Sequence, residues 1–268
     1  VVAALAVAWV GSVDPAAGQD ADGHITGTVT ADDGGAPIEG ICVSVYAFVS
    51  GGWHAQVETD SSGSYDVGGL PTGDYKVWFQ DCSGTDTYTD EYFDDSIDQG
   101  ETTPVAVTDG ATTPAIDAGL AAAGRITGTV TDDETGQPLA GICVTASTRS
   151  GTASGSDLTD NGGFYEVVGL PAERYLVQFS DCNGTGFITE YFEDTTRYNE
   201  ATRLVVGAGD TVAGVDAGLT AGGHITGTVT ADATDQPLAG ICVYAEGGGG
   251  NRSAQTDGDG VYDIDRLG

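Results

Sequence analysis

The five cysteines are the residues whose spacing most directly indicates chemistry. Cys42 and Cys82 are separated by 40 residues, Cys143 and Cys182 are separated by 39, and Cys242 stands alone. Zinc sites usually contain ligands about two to four residues apart, and neither cysteine pair has this pattern or a nearby histidine. We therefore expect one disulfide within each pair, with free structural thiols as the alternative. Disulfides persist in oxidising compartments, so the pattern predicts export.

Two acidic segments have the residue types of calcium-binding loops. Asp160 begins the run Asp-Asn-Gly-Gly, and Asp257 and Asp259 lie in the run Asp-Gly-Asp-Gly. Calcium prefers carboxylate oxygens, but the bidentate glutamate that completes an EF-hand loop is missing from both segments. The three aspartates are calcium candidates. The preferred explanation is an aspartate-initiated turn, in which the carboxylate accepts backbone N–H bonds.

Three aromatic residues of the first hundred positions are candidates for a carbohydrate platform. Trp53, Trp78 and Tyr88 have polar neighbours, and Trp78 alternates with the apolar residues of its segment, which places it on a polar face. The equivalent of Trp78 further along the chain is Gln178, so such a site would not be shared evenly. Core packing is the alternative for aromatic residues that recur.

The segments that carry these residues are repeated. Ile25–Thr30 recurs at 126–131 and at 225–230, and Gly40–Val43 recurs at 141–144 and 240–243. A repeat close to 100 residues long is the size of a whole domain, so the chain is a tandem array. We predict a signal-peptide remnant and linker at 1–22, complete repeats at 23–122 and 123–222, and a truncated third repeat at 223–268.

Within each repeat, apolar residues recur with a period of two. Ile41, Val43 and Val45 alternate with more polar residues, and the segment from Tyr75 to Phe79 does the same. This alternation predicts half-buried strands, and both cysteines of repeat 1 fall on the polar faces of theirs, where one bond can join neighbouring strands. About seven short strands per repeat predict an all-β fold with one β-sandwich each.

The first ten residues, Val1–Val10, form an apolar run that is too short to span a bilayer, which takes about 20 residues. A run of this length followed by small residues is typical of the apolar part of a signal peptide, with a buried strand as the alternative. We therefore expect an extracellular or cell-surface protein. We expect no membrane insertion of its mature part.

The net charge excludes one class of function. Eight basic residues accompany 41 acidic ones, which gives a formal charge of −33. Nucleic-acid binding needs Lys or Arg opposite the phosphates, so no nucleic-acid partner is expected. Acidic residues spread along every repeat keep the units soluble and mutually repelling, which favours a monomeric extended array.

No set of residues predicts catalysis. His24 and His224 are equivalent positions, and the second repeat has Arg125 there, an exchange that a general base would not tolerate. The pairs Glu91 with Asp94 and Glu190 with Asp194 have the residue types of an acid pair, but we interpret them as solvated or turn-stabilising carboxylates. We expect no enzymatic activity within this chain and no cofactor other than the candidate calcium.

The motifs Gly-x-Val-Thr, Gly-Ile-Cys-Val, Thr-Asp-x-x-Gly-x-Tyr and Gly-Leu-Pro follow one another within a repeat. Over nearly all of 23–268 they resemble the carboxypeptidase regulatory-like domains. This resemblance implies prealbumin-like, seven-stranded Greek-key sandwiches of the carbohydrate-binding-like fold, related to the B-type repeats of Gram-positive surface adhesins. Those adhesin repeats often contain a Lys–Asn isopeptide bond. The single lysine, Lys76, is replaced by Leu176 in repeat 2, so we expect none here.

These observations favour a non-catalytic, secreted or cell-surface repeat protein that acts as a structural spacer or adhesive stalk. Its expected partner is a glycan or another cell-surface ligand. The alternative is a carbohydrate-binding accessory region of a secreted, α-amylase-like enzyme whose catalytic domain lies outside the sequence.

Overall fold

The computed structural model describes residues 22–247 and 250–268, so most of the expected signal-peptide segment lies outside the described residues. The described part of the chain contains 22 strands and no helix. It therefore has no helix of the length and hydropathy needed to cross a membrane.

Nine strands form the first repeat and nine form the second. Repeat 1 contains β1 (Gly23–Ala31), β2 (Ile41–Ala47), β3 (Trp53–Glu58), β4 (Ser64–Leu70), β5 (Gly73–Asp81), β6 (Glu91–Tyr92), β7 (Val105–Val107), β8 (Thr112–Thr113) and β9 (Ala118–Leu120). Repeat 2 contains β10 (Gly124–Asp132), β11 (Cys143–Thr148), β12 (Ser154–Leu158), β13 (Phe164–Leu170), β14 (Arg174–Ser180), β15 (Glu190–Tyr191), β16 (Leu204–Val205), β17 (Thr211–Val212) and β18 (Ala217–Leu219). The last four strands of each repeat are two or three residues long, too short for alternation to reveal. The count therefore exceeds the seven that the pattern predicted.

The third, partial repeat contains four strands in two pairs. These are β19 (Gly223–Thr228), β20 (Cys242–Gly247), β21 (Gly250–Gln255) and β22 (Val261–Leu267), with β19 paired to β22 and β20 paired to β21. The pairing of β19 with β22 has the same register shift after its first residue pair as β1 with β4 and β10 with β13. The same local sequence thus gives the same irregularity three times.

Two sheets face each other in each complete repeat. In repeat 1 the first sheet has the order β4-β1-β8 with β9 also paired to β1, and the second has the order β3-β2-β5-β6 with β7 paired to β5. Repeat 2 has the same pairings, in the orders β13-β10-β17 and β12-β11-β14-β15. Both repeats are therefore β-sandwiches in which the chain crosses between the two sheets several times, after the first, third, fourth and seventh strands.

The core of each sandwich is made of the side chains that alternate inward. Val43 and Val45 on β2 and Val77 and Phe79 on β5 are fully buried, as the period of two predicted. The ring of Phe79 meets the ring of Tyr65 from the opposite sheet edge-on, with 5.9 Å between centroids. Burial of such apolar surface is the main force that holds the two sheets together.

The connection between the two complete repeats is hydrogen-bonded along its length. Ala121 O accepts a bond from Thr89 N at 2.9 Å, and Ala123 N donates to Thr87 O at 2.8 Å. Between them, Ala122 O accepts a bond from Gly209 N of repeat 2 at 2.9 Å. The linker is thus an extra strand-like segment anchored to both repeats.

Candidate functional site

The four cysteines of the complete repeats form two disulfides. Cys42 is bonded to Cys82 with 5.7 Å between their Cα atoms, and Cys143 is bonded to Cys182 with 5.8 Å. Cys42 lies opposite Gln80 on β5, so its bond runs diagonally to the residue just after that strand. Sulfur atoms in a disulfide are not metal ligands, although Glu58 lies beside the first pair. Cys242 is an exposed free thiol.

Two of the three candidate calcium residues, Asp160 and Asp257, stabilise tight turns. The Oδ1 atom of Asp160 accepts bonds from the backbone N–H groups of Gly162 and Phe164 at 2.8 and 3.0 Å. Asp257 does the same for Asp259 and Val261 at 2.9 Å each. These are the contacts of an aspartate-initiated turn. Calcium binding at Asp160, Asp257 and Asp259 stays a prediction.

A row of four aromatic side chains crosses the outer face of the second sheet of repeat 1. The row consists of Trp53 on β3, Tyr46 on β2, Trp78 on β5 and Tyr92 on β6. Trp78 stacks on Tyr92 with 5.6 Å between centroids and 13° between planes, and Tyr46 lies 6.4 Å from Trp78. Strand register aligns Ser154, Ser147, Gln178 and Tyr191 with these positions in repeat 2. The row therefore belongs to repeat 1.

Two of the three residues proposed for a carbohydrate platform lie together. Trp78 and Tyr88 line one cavity of about 530 Å³ between the two complete repeats, whose other wall includes Ser154 and Pro171. Trp53, which is 62% exposed, lies two strands away from Trp78 and does not line this cavity. Carbohydrate binding at Trp53, Trp78 and Tyr88 stays a prediction.

In every repeat a basic side chain on the first strand pairs with an acidic side chain on the fourth strand. His24 Nδ1 lies 2.6 Å from Asp66 Oδ1, and His224 Nδ1 lies 3.0 Å from Asp263 Oδ1. In repeat 2 the pair is Arg125 with Glu166, at 2.7 Å. The exchange of histidine for arginine is explained by this contact, which needs a side chain that can donate a hydrogen bond to the carboxylate and no proton transfer.

We expect an NMR titration to place the pKa of His24 above 6.5. The hydrogen bond to Asp66 is the largest cause of this rise, which desolvation partly opposes and the charges of Asp66 and Asp22 reinforce. A raised histidine pKa stabilises the fold fully below the unfolded value, and this contribution is lost as pH rises through the folded value. Asp66→Asn should return the pKa towards 6.5, whereas Glu39→Gln, an exposed control in the same repeat, should leave it unchanged. An unaltered pKa in Asp66→Asn would contradict the assignment.

Sequence reasoning missed two buried glutamates. Glu91 is 9% exposed and Glu190 is 5% exposed, so the expectation of solvated carboxylates was wrong for both. The reason is register: Glu91 lies opposite Phe79 and Glu190 lies opposite Phe179, which puts them on the core face of their sheet. The recurrence of Glu-Tyr-Phe in both repeats was the signal that could have found them.

Burial raises the pKa of both glutamates. The pKa of Glu91 rises to about 8, chiefly through desolvation and then through the charges of Asp95 and Asp32. The pKa of Glu190 rises to about 7, through desolvation and then the charges of Asp194 and Asp133. Both repeats therefore place an acidic group in the same unfavourable surroundings.

The residue ranges that match a known protein family agree with the boundaries of the repeats as the strands define them. Residues 24–120 and 125–218 each match the carboxypeptidase regulatory-like domain, and together these segments make up most of the chain. The chain belongs to the carboxypeptidase regulatory-like domain family. This family assignment covers both complete sandwiches.

Among curated proteins, the chain is similar to the serine-aspartate repeat-containing protein F of Staphylococcus epidermidis. The two are 29% identical over 136 residues, which cover 47% of this chain and 8% of that protein. The matched segment is thus a small part of a much longer relative.

Among solved structures, the chain is similar to the TIE protein of Bacillus anthracis and to GBS52, the minor pilin of Streptococcus agalactiae. The first is 16% identical with a TM-score of 0.31, and the alignment covers 91% of this chain and 43% of that one. The second is 14% identical with a TM-score of 0.37, and covers 74% of this chain and 95% of that one. At these TM-scores, the fold assignment rests on the strand pairing of the chain itself.

Proposed function

We propose that this chain is part of a non-catalytic, secreted or cell-surface protein, in which it acts as a structural spacer or adhesive stalk. The observation that carries the proposal is the joint between the complete repeats. A spacer must hold its two ends at a defined separation. A three-residue linker that is hydrogen-bonded to both neighbouring repeats limits bending between them. A freely jointed array would need no such bonds.

The second joint supports the same role. Thr220 O accepts a bond from Ile188 N at 2.9 Å, and Gly222 N donates to Gly186 O at 2.8 Å. These contacts repeat those of Ala121 and Ala123 one domain later. Attachment of the linker to its preceding repeat is thus the same at successive joints, which favours a regular, directional array.

Charge and covalent chemistry fit a protein exposed to the medium. A net charge of −33 keeps neighbouring units from collapsing onto each other. One disulfide in each complete repeat stabilises the sandwich where a thiol would not stay reduced. We propose an extracellular or cell-surface location and a monomeric, extended array on these grounds.

Small-angle X-ray scattering tests the spacer function. The wild-type chain should give a pair-distance distribution that one fixed arrangement of the two complete repeats explains. Insertion of six glycine and serine residues after Ala122 should broaden this distribution, because a flexible linker spans about 5–6 Å times the square root of its length.

The matched control carries the same insertion in the exposed turn between Gly51 and Gly52, which leaves the joint intact. It should scatter like the wild-type chain. If the wild-type distribution is as broad as that of the Ala122 insertion, the repeats move freely and the spacer proposal is wrong.

A further inference from the structure

The cavity between the two complete repeats, here called the inter-repeat cleft, has two walls of different chemistry. Its repeat 1 wall carries the aromatic rings of Trp78, Tyr88 and Tyr92. Its repeat 2 wall carries the hydroxyl groups of Ser154 and Ser156, which lie two residues apart on β12 and therefore share one face of that strand. The volume of about 530 Å³ falls within the range of about 300–1,000 Å³ that is typical of small-molecule sites.

Contacts beside the cleft hold its two walls in place. Tyr88 forms an antiparallel bridge with Ala122 of the linker, and Ala122 O accepts the hydrogen bond from Gly209 N of repeat 2. The side chain of Asp86 lies against Gly169 of repeat 2, where an added Cβ atom would be 3.6 Å from Asp86 Cβ. The walls therefore have their positions before a ligand arrives, which lowers the entropic cost of binding.

The aromatic wall is not required by the fold. Trp78 and Tyr92 are half-buried on the outer face of their sheet, with their rings almost parallel. Repeat 2 builds the same sheet with Gln178 at the position of Trp78, paired to Tyr191 as Trp78 is paired to Tyr92. A tryptophan that the sandwich can replace by glutamine is not needed to hold the two sheets together. Aromatic surface that remains accessible in this way is typical of an interaction site.

The cleft at the second joint has a different chemistry. It has a volume of about 210 Å³, and among the described residues that line it Tyr191 is the one aromatic side chain. It is also lined by Arg252 of repeat 3. A ligand that packs against several aromatic rings therefore fits the first joint and not the second.

The polar groups of the inter-repeat cleft match the hydroxyl groups of a sugar. Asp86 and Asp90 supply carboxylates that accept hydrogen bonds, and the amide of Gln99 both donates and accepts. Asp90 Oδ1 is held by the backbone N–H of Asp81 at 3.0 Å. None of the described residues that line the cleft is basic, so a phosphate, a sulfate or a uronic acid would find no cation there.

We propose that the inter-repeat cleft binds a neutral oligosaccharide. The rings of Trp78, Tyr88 and Tyr92 pack against the apolar C–H faces of the sugar rings, as aromatic side chains do with flat apolar surface. Asp86 and Asp90 accept hydrogen bonds from sugar hydroxyl groups, and the serines of β12 contact the sugar from repeat 2. This site gives the adhesive stalk of the proposed function a ligand class, and it rests on the fixed joint between the repeats.

Titration of the whole chain with cellotetraose, xylotetraose, maltotetraose and chitotetraose tests the proposal by calorimetry. At least one of these neutral sugars should bind, with one molecule per chain. Trp78→Ala should weaken this binding by about tenfold or more, because it removes apolar contact surface from the cleft. Trp53→Ala is the matched control, since Trp53 is 62% exposed on the same sheet and lies outside the cleft. It should leave the dissociation constant unchanged within about twofold.

The insertion of six residues after Ala122 tests whether both repeats form the site. It should also weaken binding by about tenfold or more, because the two walls then lose their fixed distance. The same insertion between Gly51 and Gly52 should bind like the wild-type chain. Scattering from the unbound chain judges the rigid joint, whereas binding to the two insertion variants judges the cleft. A rigid wild-type chain whose Ala122 insertion binds with full affinity would leave the spacer function standing and reject the shared site.

Three further results would overturn the proposal. The first is that none of the four neutral sugars binds. The second is an equal loss in Trp53→Ala and Trp78→Ala, which would place binding on the outer sheet face and not in the cleft. The third is binding of tetragalacturonate or trilysine as tight as that of the best neutral sugar, which would mean that charge selects the ligand. If Trp78→Ala does not fold, Gln99→Ala at an exposed position decides, and full affinity in this variant rejects the site.

Discussion

Gly27→Ala and Gly128→Ala are each expected to destabilise their repeat by about 3 kcal/mol. A Cβ atom on Gly27 would lie 2.0 Å from the backbone oxygen of Ile116, and one on Gly128 would lie 2.1 Å from that of Val215. Atoms at such distances overlap, and the obstacle is backbone, which cannot rotate away as a side chain can. The glycine of the Ile-Thr-Gly-Thr-Val motif therefore lets two chain segments touch.

The segment that Gly27 contacts is held in place by several hydrogen bonds, so its displacement by an added Cβ atom would cost free energy. Ile116 N donates to Thr26 O at 3.1 Å, and the hydroxyl of Tyr65 donates to Ile116 O at 2.5 Å. Thr28 donates to Asp117 Oδ1 through both its N–H and its hydroxyl. Relief of the clash would break part of this network, which includes the buried bond from Tyr65 to Ile116.

Urea unfolding measures the effect of the glycine substitutions as a lower transition midpoint at unchanged slope. Gly34→Ala is the matched control, because nothing lies within 4 Å of its added Cβ atom and it should change the free energy of unfolding little. If Gly27→Ala were as stable as Gly34→Ala, the close approach of β1 and the Ile116 segment would not exist in solution.

Removal of the first disulfide by Cys42→Ala/Cys82→Ala is expected to destabilise repeat 1 by about 4 kcal/mol. The bond closes a loop of 40 residues, and the chain-entropy treatment gives about this value for a loop of that size. The bond restricts the unfolded chain, while the folded strands β2 and β5 are already joined by backbone pairing. The variant should therefore lose stability mainly because its unfolded repeat has greater conformational freedom.

Calorimetry of the variant should show one transition moved to lower temperature and the transition of repeat 2 unchanged. Reduction of the wild-type chain with dithiothreitol should lower both. Cys242→Ser changes an exposed thiol without a disulfide and serves as the control. Equal melting temperatures for the reduced and oxidised chains would be incompatible with a stabilising role for these bonds.

The sequence predicted the features that depend on local pattern. Alternation at Ile41, Val43 and Val45 identified a strand and its inner face, because successive side chains of a strand point to opposite sides. The same parity placed Cys42 where a disulfide could form, and the recurrence of whole motifs identified the tandem array. Such features need only the order of neighbouring residues and the geometry of an extended chain.

Tertiary structure alone decided the features that depend on which segments meet. Glu91 is buried because a two-residue strand pairs with β5 at Phe79, and alternation within so short a segment cannot reveal that register, although the recurrence of Glu-Tyr-Phe marks the position. The charges of Asp32 and Asp95 act on it from separate turns, and Ala122 is joined to the next repeat by a hydrogen bond from Gly209. Local pattern sets the face of a side chain, whereas its burial and its neighbours are set by contacts between residues far apart in the chain.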